Sequence, residues 1–197
     1  KRQNSKKVKI DSPPAGGGPG MIMRADIVLP IVDNMRQHGD TRPLIVPAAR
    51  GVKYDQEITK ELVRKEGLIF ICGRFEGIDQ RIIESTGALE ISIGDYILTN
   101  GDIAAINIID SCVRLLDGVL STKTSIESES YENGLLEYPQ YTLPRDYDGS
   151  KIPNVLLSGD HGAISKWRLS QSLLTTKKNR PDLYEKYQKK IKDSGSQ

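Results

Sequence analysis

LIFICGRFEGIDQRIIESTGALEISIGDYILTNGDIAAINIIDSCVRLLDGVL, residues 68–120, decides the reading of the whole chain. A short apolar run, 68–72, ends at Gly73, and a polar turn follows to Gly77. An amphipathic segment, 78–85, reads as a helix. A second apolar run, 89–93, stops at Gly94-Asp95, and a polar loop, 99–102, leads into a long helical pattern reaching Leu116. That last helix is expected to bury Ile103, Ile106, Ile109, Val113 and Leu116, with Asn100 or Asp102 as its cap. Five glycines (73, 77, 87, 94, 101) punctuate these elements. At strand ends such glycines let the backbone turn sharply and approach a ligand closely, which locates the active site here.

Upstream, the pattern is of the same kind. Residues 1–15 read as irregular, and Pro13-Pro14 rules out a helix there. Gly16-Gly17-Gly18-Pro19-Gly20 lacks both the phosphate-loop lysine and the dinucleotide spacing, so it reads as a flexible turn or a backbone passing close to something. Residues 25–37 carry Ile27, Val28, Ile31, Val32 and Met35 at helical spacing. A strand at 44–46, a turn at 47–51 and a helix at 55–66 follow, the last with Ile58, Leu62 and Val63 inward. Strands alternating with helices predict an α/β fold with a parallel sheet, whose ligands bind at the carboxyl ends of the strands. Those ends are 47–51, 73–77 and 94–101.

Downstream the texture changes. Six of the ten residues 121–130 are Ser or Thr, which reads as a linker. Residues 134–153 read as extended, 163–174 as a helix bearing Trp167, and a last basic helix starts near Pro181. The expected division is 1–120, a linker at 121–133, and 134–197.

Composition sets bounds. With 197 residues, 27% charged and 37% hydrophobic, the chain suits a globular protein, and no stretch has the ~20 apolar residues that span a bilayer. The basic N-terminus has no apolar run behind it and does not read as a signal peptide. Cys72 and Cys112 sit in apolar patterns and read as buried thiols; with two His they make no zinc spacing, so no metal site is expected. Net charge is only +2, but residues 165–193 hold nine Lys/Arg against three acids. Such a segment grips a phosphate backbone or forms a solvated helix face.

GGGPGM (16–21), GRFEGIDQRIIE (73–84), SIGDYILTNGD (92–102) and VLLSGDHGAISKWRLSQSL (155–173) stand in this order. With these motifs the chain resembles the bacterial tRNA (guanine-N1)-methyltransferase family of the SPOUT class, over nearly its whole length. The resemblance implies a SPOUT-type parallel sheet with a C-terminal trefoil knot, a helical tRNA-binding domain after a flexible linker, and a cytoplasmic homodimer with a shared active site. It implies methyl transfer from S-adenosylmethionine to N1 of guanosine 37 of tRNA, next to the anticodon.

Carried across by the motifs, the cofactor would lie among Pro47, Ala48, Ala49 and Gly51, then Gly73, Arg74, Glu76 and Gly77, then Ser92, Ile93, Gly94, Tyr96, Leu98, Asn100 and Gly101. Adenine would be read by backbone near Ile93, Gly94, Tyr96 and Leu98, and Glu76 would face the methionine end. Glu76 pairing with Arg74 or Arg81 is the plain alternative. Guanine N1 carries a proton, so a base must remove it, and charge spreading to O6 needs a donor. Arg114 matches the family arginine for O6. Glu129 stands where the family has an Asp base, supplied across the dimer, with Glu127 as a neighbouring competitor. Mg2+ enters through the resemblance alone.

This sequence departs from the family at Ala48-Ala49, Thr99-Asn100, Gln140 and Leu143. The family also has a first strand ahead of this sequence, so the sheet is expected to be one strand short. Two alternatives stay open: a catalytically silent RNA- or cofactor-binding protein, and a SPOUT methyltransferase with another RNA target. For tRNA phosphates the expected contacts are Lys166, Arg168, Lys177, Lys178 and Arg180.

Overall fold

The computed structural model describes residues 8–119 and 129–194. The chain divides into two compact units, Lys1–Leu120 and Ser121–Gln197.

The first unit is built on a parallel three-stranded sheet. Strand β3 (Leu44–Lys53) lies between β4 (Ile69–Phe70) and β5 (Leu89–Ser92). Both pairings are parallel, with Ile45 opposite Phe70 on one side and Leu89 on the other. Side chains alternate across a strand, and the sequence of β3 uses both faces. Ile45 joins Leu62, Ile91, Ile108 and Cys112 in one buried cluster. Leu44 and Val46 join Val32 and Ala88 in the other. Helices therefore cover both faces, as parallel strands require. Helix α2 (Gln56–Val63) packs beside α4 (Asp102–Val113), and α1 (Ala25–Gln37) beside α3 (Gln80–Thr86).

Local chemistry fixes the helix starts. The Asp55 carboxylate accepts from the Glu57 and Ile58 amides at 3.1 and 3.0 Å. The Asp79 carboxylate accepts from the Arg81 amide at 2.9 Å. Each bond satisfies an amide that the first helical turn leaves without a partner. α1 has the predicted bounds.

Three expectations need correction. Residues 11 and 12, read as irregular, form β1 (Asp11–Ser12), antiparallel to β2 (Ile22–Met23). Pro13-Pro14 then ends the strand, since proline gives the ladder no N–H. Residues 47–51, read as a turn that ends a strand, lie inside β3, which resumes pairing at Val52. Finally, α4 ends at Val113 and presents the opposite face from the one expected. Ala104, Ala105, Ile108 and Cys112 are buried, whereas Ile103, Ile106, Ile109, Val113 and Leu116 are exposed. The helix is apolar nearly all round, and the sheet takes the side with the smaller residues.

In the second unit, a short buried core forms around Leu135 and Thr176. The Thr176 hydroxyl donates to the Ser172 carbonyl (2.6 Å) and accepts the Leu136 amide (2.8 Å), so the fully buried polar group is satisfied. The stretch read as extended contains a hairpin, β6 (Asp146–Tyr147) with β7 (Ser150–Lys151). Its two turn residues, Asp148 and Gly149, have φ of 51° and 82°, as a tight hairpin turn demands. A short 3-10 turn, Asn154–Leu157, precedes helix α5 (His161–Asn179), which is longer than predicted at both ends. The Asp160 carboxylate caps it by accepting the Ala163 amide at 2.9 Å. Helix α6 (Pro181–Ser194) begins on proline as expected and packs against α5. Glu127 and most of the predicted linker lie outside the described residues. Among the described residues no helix is long and apolar enough to cross a membrane.

Candidate functional site

Three loops of the first unit meet at the carboxyl edge of the sheet. The first is a detour in β3. Pro47 and Val52 both stand opposite Ile91, so residues 48–51 leave the ladder as a bulge. Only glycine fits at its foot: a Cβ on Gly51 would lie 2.4 Å from the Glu90 carbonyl carbon.

The second loop follows β4. The Gly77 amide donates to the Arg74 carbonyl (2.8 Å), closing a tight turn. Within it Phe75 has φ of 52° and is 66% exposed. A bulky residue held in the left-handed region is a local strain that clusters at functional sites. The glycine-rich N-terminal loop buttresses this turn. The Glu76 amide donates to the Met21 carbonyl, and the Met23 amide donates to the Gly77 carbonyl. A Cβ on Gly20 would lie 2.6 Å from Glu76 Cγ, so the backbone there passes directly against Glu76. Arg81 pairs with Asp79 (2.6 Å), and Arg74 lies over the Phe75 ring at 5.3 Å, so neither arginine takes Glu76.

The third loop follows β5. The Ser92 hydroxyl donates to the Gly94 carbonyl at 3.2 Å. The Tyr96 amide also donates to that carbonyl, at 3.0 Å. The Asn100 side chain accepts the Asp102 amide at 3.1 Å and opens α4, while the Gly101 amide donates to the Gly73 carbonyl and ties this loop to the second. Gly101 itself occupies the helix cap and supplies no side-chain bond.

Two clefts open between these loops and share Pro47, Ala48, Ala49, Ile97 and Asn100. One, about 110 Å³, is lined by Ser92, Ile93, Gly94, Tyr96, Leu98 and Gly101. The other, about 340 Å³, is lined by Gly73, Arg74, Glu76 and Gly77. That larger volume is within the roughly 300–1,000 Å³ typical of small-molecule sites. Every residue expected at the cofactor lines one cleft or the other except Gly51, which stands behind the bulge against β5. Arg114 lies at the C-terminal end of α4, its amide bonded to the Asp110 carbonyl, and lines neither cleft. Glu129 belongs to the second unit.

Arg50, Phe75 and Ile97 also line the clefts; they lie inside the loop ranges expected at the site, 47–51, 73–77 and 94–101, though not among the residues named there. The contact of Arg50 with Glu90 carries no local signal, because it spans forty positions. Cys72 lies beneath Gly101, whose Cβ would be 3.2 Å from the Cys72 Cα. Burial first, then the Asp102 carboxylate, push its thiol up to about 11, so it stays protonated. Among the described residues no group of three or more His, Cys, Asp or Glu could hold a metal ion.

In the second unit the basic side chains are unequal. Arg180 is held by Asp182 (2.7 Å), Arg168 lies over Tyr138 (4.8 Å), and Lys177 over Tyr184 (5.8 Å). Lys166 and Lys178 are exposed. The half-buried Trp167 pairs with Tyr141, ring centroids 6.2 Å apart.

A family model described as tRNA (Guanine-1)-methyltransferase TrmD matches residues 2–186. The chain belongs to the TrmD family. Relatives named tRNA (guanine-N(1)-)-methyltransferase bear this out. Those of Brucella ovis and Brucella melitensis are each 48% identical over 188 residues, covering 95% of this chain and 77% of theirs. That of Brucella suis is 48% identical and covered to 76%. In this TrmD-family chain the matched residues include all three cleft loops and run through α5 into α6. The clefts offer an apolar wall and close-packed backbone, and the larger one carries Arg50, Arg74, Glu76 and Glu90, of which Glu90 is already paired with Arg50. That arrangement can hold a flat apolar ring at one end and a cationic group at the other.

Proposed function

We propose that this chain transfers a methyl group from S-adenosylmethionine to N1 of the guanosine next to the tRNA anticodon. The two clefts at the sheet edge, which share part of their lining, carry the reading, since they bring together loops drawn from Val46 to Ala104 of the motif-bearing unit. The residues fit the cofactor. Pro47, Ala48, Ile93 and Leu98 give adenine an apolar seat, and Gly94 and Gly101 let backbone donors and acceptors reach its edge. Glu76, on the larger cleft, opposes the cationic methionine end. Bound there, the cofactor supplies an electrophilic methyl group on a sulfonium.

The chain's own residues do the rest. Glu129 of the partner subunit takes the N1 proton of the target guanine. Arg114 donates to O6, where the resulting negative charge spreads. The target base leaves its stack to reach the cleft. Exposed lysines of the second unit hold the tRNA backbone.

A homodimer with a shared site follows from this assignment. The exposed Ile103, Ile106, Ile109 and Val113 of α4 support it, because a second copy would cover a face that monomers rarely leave in water. The same reading takes the chain to form a trefoil knot around the cofactor and to work in the cytoplasm. Mg2+ takes part in no step proposed here.

The test is methyl transfer from labelled S-adenosylmethionine to two tRNA transcripts. One carries guanosine next to the anticodon, the other adenosine. Label in the guanosine transcript alone is the expected result. Label in both, or in neither, overturns the assignment.

A further inference from the structure

Ala48 and Ala49, in the bulge at 48–51, belong to the wall common to both clefts. At one foot Pro47 is still in the ladder, and at the other Gly51 presses on the Glu90 backbone. Between them Ala48 and Ala49 carry only methyl groups, which offer no polar bond. Arg50 is the crown's one long side chain. Its Nε donates to Glu90 Oε1 at 2.8 Å, and its Nη2 donates to Gln80 Oε1 at 2.5 Å. Glu90 precedes the fully buried Ile91 on β5, the strand that leads into the third loop. Gln80 opens α3, directly after the second loop. One guanidinium therefore ties the bulge to the strand that precedes the third loop and to the helix that follows the second. A planar fork can satisfy two acceptors at once, which a lysine ammonium on its flexible stem does poorly.

We infer that Arg50 is a positioning residue for the cofactor cleft, fixing the crown of the 48–51 bulge through Glu90 and Gln80. The inference rests on reading the clefts as the S-adenosylmethionine site. Arg50 is 62% exposed and the Glu90 side chain 21%. Ion pairs that open to solvent contribute little to global stability. The strut therefore acts on the shape of the wall and hardly on the folding of the domain.

The experiment uses the full chain and four proteins: wild type, Arg50→Ala, Arg50→Lys and Glu90→Gln. S-adenosylmethionine binding is measured by calorimetry, methyl transfer by steady-state kinetics, and amide exchange of the segment 44–53 without ligand. Arg50→Ala is expected to weaken binding about tenfold, or ~1.4 kcal/mol. KM for S-adenosylmethionine rises by a similar factor while kcat stays within about twofold, which marks lost binding geometry rather than lost chemistry. Exchange in the bulge quickens, and the melting temperature hardly moves. Arg50→Lys recovers less than half of the loss.

Binding within twofold of wild type together with unchanged exchange overturns the inference. So does a collapse of kcat at constant KM, which would make Arg50 part of the chemistry. If wild type binds no S-adenosylmethionine but Arg50→Ala still loosens the bulge, the strut stands and the cofactor reading falls.

Discussion

Gly94 and Tyr96 share one space: a Cβ on Gly94 would lie 2.4 Å from Tyr96 Cε1. The Tyr96 ring folds back over the glycine and lines the smaller cleft. Gly94 also has φ of 155°, a conformation that side-chain-bearing residues rarely adopt. Gly94→Ala must push the ring aside and strain the loop. S-adenosylmethionine affinity is expected to fall at least about tenfold, while thermal stability changes little because the loop lies outside the core. Calorimetry beside a melting curve checks both halves.

Ile106 and Ile108 sit two positions apart on α4 and face opposite ways, 60% and 0% exposed. Ile108→Ala opens a cavity between α4 and the sheet and should cost about 2–5 kcal/mol of stability. Ile106→Glu removes no core contact. It puts a charge on the exposed stripe and should shift the assembly from dimer to monomer, with loss of methyl transfer. Sedimentation at several concentrations reads the second change, and denaturant titration the first.

Glu129→Gln keeps the size of the side chain and removes the basic carboxylate. A general base is worth about 10²–10⁴ in rate. The expected result is a fall in kcat of at least about a hundredfold with S-adenosylmethionine affinity unchanged. Full activity in this variant would remove Glu129 from the chemistry.

Lys178 is exposed, whereas Arg180 is already bonded to Asp182 through two nitrogens. The two cations should therefore contribute differently to tRNA binding. Lys178→Ala is expected to lower the slope of log affinity against log salt by about 0.7–0.9, one phosphate contact. Arg180→Ala should lower it less. Filter binding at several salt concentrations separates them.

Cys72 offers a pH signature. Its thiol is pushed from an ordinary 9.0 up to about 11 by burial and by Asp102. At pH 8 about a hundredfold less of it is thiolate than in a free cysteine, so alkylation by iodoacetamide should be slower by about the same factor. The sign follows from the raised value. The protonated form favours the folded state below pH 9, and this contribution fades as pH climbs through about 11. Asp102→Asn should lower the thiol and speed the reaction. Mass-resolved alkylation rates test it.

Much of the site was legible because its loops are built from glycine and polar residues between apolar runs. The quoted motifs therefore marked the second and third cleft segments directly, the first was read only as a turn at a strand end, and the helix at Ala25–Gln37 followed from spacing. What stayed hidden has physical causes. Side chains that meet across thirty or forty positions, such as Arg50 with Gln80 and Glu90, leave no trace in local pattern. On α4 the apolar residues surround the helix, so periodicity could not choose between the Ile106 face and the Ile108 face. The β6–β7 hairpin was different: Asp148-Gly149 is a strong turn signal that stood in plain view.

The detour in β3 has one more consequence. Because Pro47 and Val52 meet the same residue, Ile91, the sheet does not register how long the path between them is. Residues could be added to or taken from the crown without moving Leu44, Ile45 or Val46 to the wrong face, the usual penalty of a slipped strand. The wall of the cleft can thus change length and chemistry while the interior beneath it stays the same. Cleft shape and strand register are separable in this protein, and an engineer could vary the first without disturbing the second.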